Sequence, residues 1–506
     1  MSLIRLQGIS AAGVALKLSS RRLLTALLLA GAGFAVTLFL FHTFNPIIVI
    51  VTGLVFLLTV FALKDITYGV IAFLAILPFI DFFKRFLFIF DTTKVEYFLV
   101  KSLPDLIPLG MILYLVGDRR LQQGRSRLDK WVLFFSLWVL LEAFNPRSPI
   151  IVGLGGIHLY IIPLLLYFYS RELVAKDRWK PAMFVILGTA VISSFYGIYQ
   201  FKFGMPGFEE AWVNSPMVSS RKLDMITIRG FLRAYAGFTS HKEFGFFLAV
   251  SMLVTLFAPI RLHALVRLLL FALFSVALVM TFHRASLLAF LAGVVVYFIV
   301  RYRRKGLFDL TAVGLVVSPL LVPLLGNALV GLKTLFKQPL LYALLQTGTF
   351  DARVRGFHRA FQNLGSTLDP IGHGLGSVFV GIRIANIRQV IEVPHNGYLE
   401  MLWEIGSIGT LLFILLVVHF FFLSRKLMMM DLPPEDKRLA ALCIGLLSGI
   451  LLTHGLINAF TQMYHTAAYF WVFAGILTGI WARNETGAEG MTGLYEKSPP
   501  GPAREA

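Results

Sequence analysis

The sequence predicts an all-α fold: a polytopic integral membrane bundle of about 12–14 transmembrane helices, with a long extracytoplasmic loop ahead of one motif-bearing helix. Three observations predict it. Of the 506 residues, 57% are hydrophobic and only 14% charged, whereas a soluble multidomain chain carries about a quarter charged residues. Apolar runs long enough to cross a bilayer recur along the chain. The intervening Lys/Arg clusters fall on one side when those runs are threaded in alternation.

About fourteen runs read as spans, centred near residues 33, 55, 74, 107, 138, 160, 190, 251, 273, 292, 316, 409, 448 and 474. The first follows a basic start (Arg5, Lys17, Arg21, Arg22) and reads as a retained signal anchor. The fourth contains Pro104, Asp105 and Pro108, and the fifth is short. "GDRRLQQGRSRLDK", "SRELVAKDRWK", "RYRRKG" and "SRKLMMMDLPPEDKR" mark the cytoplasmic side, with both termini. The membrane domain covers residues 1–484, with extracytoplasmic loops at 201–243 and 327–395, and residues 485–506 read as a disordered cytoplasmic tail.

A formal charge of +19 does not imply nucleic acid, because basic residues of membrane proteins collect in cytoplasmic loops. The lone cysteine, Cys443, permits neither an intrachain disulfide nor a cysteine-based metal site. No acids stand at a spacing that suggests a metal cluster; Glu209 and Glu210 are adjacent, and Asp351 and Asp369 are isolated. No cofactor is expected.

The topology rule leaves the basic charge of the outer loops unexplained. One loop carries Arg221, Lys222, Arg229, Arg233 and Lys242, and the other Lys333, Lys337, Arg353, Arg355, Arg359, Arg383 and Arg388. These residues fit either a solvated, headgroup-facing surface or a site for anions. Arg284, in "MTFHRAS", joins two spans with almost no loop, so its guanidinium either snorkels or faces a wet cavity. Arg353 and Arg355 are spaced like alternate strand residues and equally well open a helix.

"EVPHNGYLEMLWEIGSIGTLLFILLVV" places His395 and Asn396 at the mouth of a spanning helix, with Pro394 suited to its first position. A helix N-terminus attracts anions and disfavours imidazolium, which biases His395 towards the neutral, proton-accepting form. Tyr398, Leu399 and Leu402 share its face, while Glu400 and Glu404 are expected to pair on another. A histidine that only caps the helix is the alternative.

"PHNGYLEMLWEIGSIGTLLF" resembles the HNxxLxxxxExGxxG signature of the O-antigen ligase and O-antigen polymerase superfamily of bacterial membrane glycosyltransferases. "RAYAGFTSHKEFGFFLA", "TFHRAS" and "DARVRGFHRAFQNLGSTLDPIGHGLGSVF" are similar to its other recurrent parts, in the same order, and the resemblance covers residues 183 to 425. It implies an enzyme of the membrane-embedded C type that takes a polyprenyl diphosphate-linked glycan donor outside the bacterial inner membrane. The acceptor it implies is a hydroxyl of a glycan, of lipid A core or of a protein. His395 carries over as the base, and Arg284 and Arg353 as the diphosphate-binding arginines, with Arg229, Arg233, Arg355, Asn396 and Tyr398 in support. His283 departs from the family's serine, His241-Lys242 from its frequent Pro-Asn, and Phe357 from a frequent tryptophan.

The chemistry implied is metal-independent, because a glycosyl diphosphate carries its own leaving group and needs only a base and cations, with inversion at the anomeric carbon. A transporter or flippase for an anionic lipid-linked or polysaccharide substrate is the alternative. Against it, the two halves of the chain show no clear repeat.

Overall fold

A computed structural model describes residues 46–89, 93, 96–97, 100, 102–117, 126–215, 227–228, 231–317, 369–378, 396–455, 457–459 and 461–495. Helices dominate, beginning with α1 (Pro46–Lys64), α2 (Ile66–Ile76), α3 (Ile80–Phe86), α4 (Leu106–Gly117) and α5 (Arg127–Glu142). Then come α6 (Ile150–Ala175), α7 (Trp179–Phe203), α8 (Gly207–Asn214), α9 (His241–Phe257), α10 (Ala264–Met280) and α11 (Arg284–Arg301). The last are α12 (305–317), α13 (Gly397–Met429), α14 (Pro434–His454) and α15 (Tyr464–Tyr495). One hairpin, Thr227–Ile228 with Phe231–Leu232, is the strand pair among the described residues.

Among the described residues, six helical segments are long and apolar enough to cross a membrane: Ile66–Ile89, which takes in α2 and α3, and α6, α7, α11, α13 and α14. The apolar stretch Val51–Val60 of α1 and the helix α10 are shorter. The first expected span, near residue 33, lies outside the described residues. The last helix runs past residue 484 to Tyr495, into the segment read as a tail.

Local signals start the helices where they begin. Ser126 and Asp129 form a reciprocal capping box at α5, and Asp65 accepts from the Thr67 N–H to cap α2. Close packing depends on small residues. Gly445 and Gly449 of α14 bring that helix against the Gly293 and Ala289 carbonyls of α11, where a Cβ would collide. Helix α15 packs along α6, and α14 along α11.

The helices alternate in direction, so their ends gather on two faces. One, the basic end, joins Lys176 to Asp65, Lys180 to Glu435 and Lys426 to Glu485. The other, the loop end, carries α8, the hairpin, residues 369–378 and the starts of α9, α11, α13 and α15.

Helix α13 starts later than its proline suggested. Asn396 is the N-cap, its Oδ1 accepting from the Tyr398 and Leu399 N–H groups at 3.0 and 3.1 Å, and Gly397 is the first helical residue. The asparagine side chain satisfies two of the donors that a helix start leaves open, and Pro394 and His395 lie outside the described residues.

The helix is also broken once. Gly406 has φ 69° and ψ −179°, a conformation few side chains tolerate, and a Cβ there would strike the Pro370 carbonyl. The groups freed by the break find partners. The Ser407 N–H donates to the Asp369 carbonyl at 2.9 Å, the His373 N–H to the Trp403 carbonyl at 2.8 Å, and Trp138 Nε1 to the Ile405 carbonyl at 2.8 Å.

Candidate functional site

Four of the helices that start at the loop end, α9, α11, α13 and α15, come together near their first turns. The His241 and His283 rings at the starts of α9 and α11 lie 5.8 Å apart, and Gly245 of α9 fits against Ser286 of α11. His465 of α15 places Nδ1 3.3 Å from Glu243 Oε1 of α9. Asn396 Nδ2 donates to the Gly455 carbonyl at 2.8 Å, and Gln462 Nε2 donates to Glu400 of α13 at 3.1 Å. Ser240 and Asn396 cap the starts of α9 and α13, where Glu243 and Glu400 stand in the first turn, whereas α11 has neither an acid nor a side-chain cap there, so among these three the start of α11 is the one that suits an anion.

Two arginines reinforce it. Helix α11 has no acid in its first turn and no side-chain cap, and it begins with Arg284 itself. Arg233 lies close enough to Arg284 that, after the desolvation of its half-buried site, that neighbour's charge also weakens the protonated form of Arg233. Arg233 Nη1 donates to His241 Nε2 at 2.9 Å, and its Nε is buried without an acceptor among the described residues. Among those residues no carboxylate pairs with Arg233. A hydrogen bond to an imidazole and a neighbouring like charge do not neutralise a guanidinium; an anion does.

The sequence-predicted residues divide accordingly. Arg284 and Arg233 come together. Asn396 is turned inward as the α13 cap, and Tyr398 is buried against Phe413 and His454 in the core. His395, Arg353, Arg355 and Arg229 lie outside the described residues. Glu400 and Glu404 do not bond each other: Glu400 accepts from Asn458 and Gln462, whereas Glu404 accepts from Tyr160 Oη at 2.8 Å and the Val378 N–H at 3.0 Å. One helical turn separates them, and each faces a different neighbour with donors to offer.

Beneath the site lies a charged network that sequence reading missed. Arg85, fully buried, donates to Glu209 Oε1 and to the Ala236 carbonyl, each at 2.6 Å, and lies over the Tyr235 ring at 4.8 Å. Glu209 also accepts from Tyr196, Gln200 and Tyr235, so every lone pair of the carboxylate has a donor in reach. Beside it, Asp81 pairs with Lys84 and accepts from Thr239. The signal was present in "DFFKRF", three charges inside an apolar run.

Asp81, Glu243 and His465 have ligand atoms within 4.8 Å of one another, the one such cluster found among the described residues. Asp81 is already engaged by Lys84 and Thr239, and His465 Nε2 faces the Leu77 carbonyl at 2.9 Å. The arrangement acts as an ion-pair network that pins α3, α9 and α15 together.

Compared with known families, residues 269–414 match the family model described as O-antigen ligase. The matched stretch takes in Arg284, Arg353, His395, Asn396 and Tyr398 and begins after Arg229 and Arg233. No curated protein matches the chain.

Proposed function

We propose, from the premise that the chain carries an O-antigen ligase domain over residues 269–414 and belongs to the O-antigen ligase and polymerase superfamily, that it transfers a glycan from a polyprenyl diphosphate to an acceptor hydroxyl. The family points to glycan transfer in polysaccharide assembly by a membrane protein. The observation that carries the finer reading is Arg233, a half-buried guanidinium beside Arg284 with no carboxylate on it among the described residues. A diphosphate supplies the charge and the acceptor oxygens that Arg233 lacks among the described residues.

In this reading the loop end faces the periplasm or exterior, the basic end faces the cytoplasm, and the membrane is the bacterial inner one. The donor lies in the outer leaflet with its diphosphate over the starts of α9 and α11. Arg284 and Arg233, with Arg353 from the loop, hold the phosphate oxygens and stabilise the charge that grows on them as the anomeric C–O bond breaks. His395 takes the proton of the acceptor hydroxyl, whose oxygen attacks the opposite face of the sugar, so configuration inverts. Arg229 and Arg355 support the anion site, Asn396 holds the start of α13, and no metal is required because the leaving group is already activated.

Purified protein given a fluorescent lipid-linked glycan tests the reading. Turnover to glycan-extended product with release of polyprenyl diphosphate is the expected result. Product size then separates addition to lipid A core or to a protein from polymerisation on a second lipid-linked glycan. Movement of intact donor across vesicle membranes without bond cleavage would overturn the enzyme reading in favour of a flippase.

A further inference from the structure

Two of the residues that touch the arginines are histidines. His241, only 4% exposed, is the first residue of α9, and His283, half-buried, is the residue before Arg284. Their rings meet edge to face with centroids 5.8 Å apart. His241 Nε2 accepts from Arg233, so without a ligand that nitrogen carries no proton and the ring is neutral. His283 Nδ1 lies 2.6 Å from Ser286 Oγ, which fixes the ring at the mouth of α11.

Among the described residues, several charges on the elements packed around the pair bear on its protonation. Arg233 and Arg284 oppose an imidazolium, and so does Lys242 beside His241. Glu243 would favour one, but its carboxylate is turned to His465, which also lies near Asp81 and its partner Lys84. Lys242 in turn interacts with Glu400. An anion between the arginines reverses this balance. When it draws the Arg233 N–H groups to its oxygens, His241 Nε2 loses its donor and becomes free to take a proton from solvent. The resulting N–H then points to the same anion.

We propose that His241 and His283 are diphosphate ligands that bind in protonated form, so that uptake of the donor is coupled to uptake of protons and tightens as pH falls through the imidazole range. This deepens the diphosphate reading and rests on it. Binding and protonation favour one another reciprocally, because each supplies the countercharge of the other. The arginines alone, charged at every accessible pH, would give no such dependence.

The test is calorimetric binding of farnesyl diphosphate to the full chain in detergent, at about pH 6 and about pH 8, in two buffers of different ionisation heat. The ligand titrates too, so the quantity of interest is wild type against His241→Gln/His283→Gln. The ratio of Kd at the higher pH to Kd at the lower should be about tenfold larger in wild type, with extra protons taken up on binding. His283→Gln alone, at the more exposed position, should remove part of that difference and guards against a misfolded double variant. Equal pH slopes and equal proton uptake in wild type and both variants would overturn the proposal while leaving the diphosphate site intact. Failure of wild type to bind farnesyl diphosphate at either pH would overturn the diphosphate reading itself, and this proposal with it.

Discussion

The two ends of the bundle both carry basic residues, but they answer those charges differently. At the basic end, three cations meet carboxylates at exposed positions, Lys180 with Glu435 at 2.9 Å, Arg425 with Asp309 at 3.0 Å and Lys426 with Glu485 at 2.8 Å, and the more buried Arg171 is matched by Asp129 at 2.9 Å. At the loop end, Arg147 meets Asp369 near the surface, but Arg85 and Glu209 are paired with both side chains fully buried, and Arg233, beside Arg284, has no carboxylate on it among the described residues. Surface pairs in water contribute little and orient little. A charge withdrawn from water must be paired or assigned to a ligand, so the proposed anion site rests on a guanidinium unmatched among the described residues more than on the total charge.

The largest effect expected from this contrast is at His395. Its replacement by Ala should lower the chemical step by a factor on the order of 10² to 10⁴ and leave donor binding largely intact, because the proposed function assigns diphosphate binding to the arginines. Single-turnover rates and donor affinity measured on the same preparation check this. In wild type the rate should fall as pH drops below about 6.5, as imidazole protonates. His395→Gln keeps a hydrogen bond and cannot take that proton; full activity with an unaltered pH profile would show that the base lies elsewhere.

Next in size is the buried pair. Arg85→Met leaves Glu209 without its countercharge among Tyr196, Gln200 and Tyr235, and breaking one partner of a buried pair costs about 3–5 kcal/mol. The thermal transition in detergent should fall sharply, and most of the loss should return in Arg85→Met/Glu209→Gln. A single variant as stable as wild type would mean that water reaches Glu209.

These two predictions also divide what the sequence made legible. The HN motif and the long apolar run after it announced α13, because cap residue and hydrophobic length are local properties. The break at Gly406 was not legible: a glycine about three turns from the nearest proline looks like many others, and what requires it is the approach of Pro370 and Gly372 from a distant part of the chain. Arg233 and Arg284 could each be named as candidates, but their apposition arises from the packing of α9 on α11. Arg85 is not legible because its partner Glu209 is 124 residues away, and a charge in an apolar run does not show what it pairs with.

Smaller again is the loss expected at the arginine pair. A hydrogen bond to a charged group contributes about 1.5–3 kcal/mol, so Arg233→Ala and Arg284→Ala should each weaken donor use roughly 10- to 150-fold. Lys at either position keeps the charge and loses the paired donors, and should fall between Ala and wild type. Titration of lipid-linked donor gives the ratio for each variant. Wild-type donor use in Arg233→Ala/Arg284→Ala would return both residues to a snorkelling role.

The smallest effect should come from the other end, and it is the control that makes the comparison meaningful. Lys180→Ala and Lys426→Ala remove exposed partners of Glu435 and Glu485, whose carboxylates water can still solvate. Each should change stability by less than about 1 kcal/mol, and less at high salt, with turnover unchanged. The same end should resist labelling from outside: in a Cys443→Ala background, a cysteine at position 130 should be protected in intact cells and one at position 284 should react. Labelling at 130 would invert the assignment of the two ends. Loss of turnover in Lys180→Ala or Lys426→Ala, with the protein still inserted, would break the contrast directly, because a charge already matched by a solvated carboxylate would then be shown to serve the reaction.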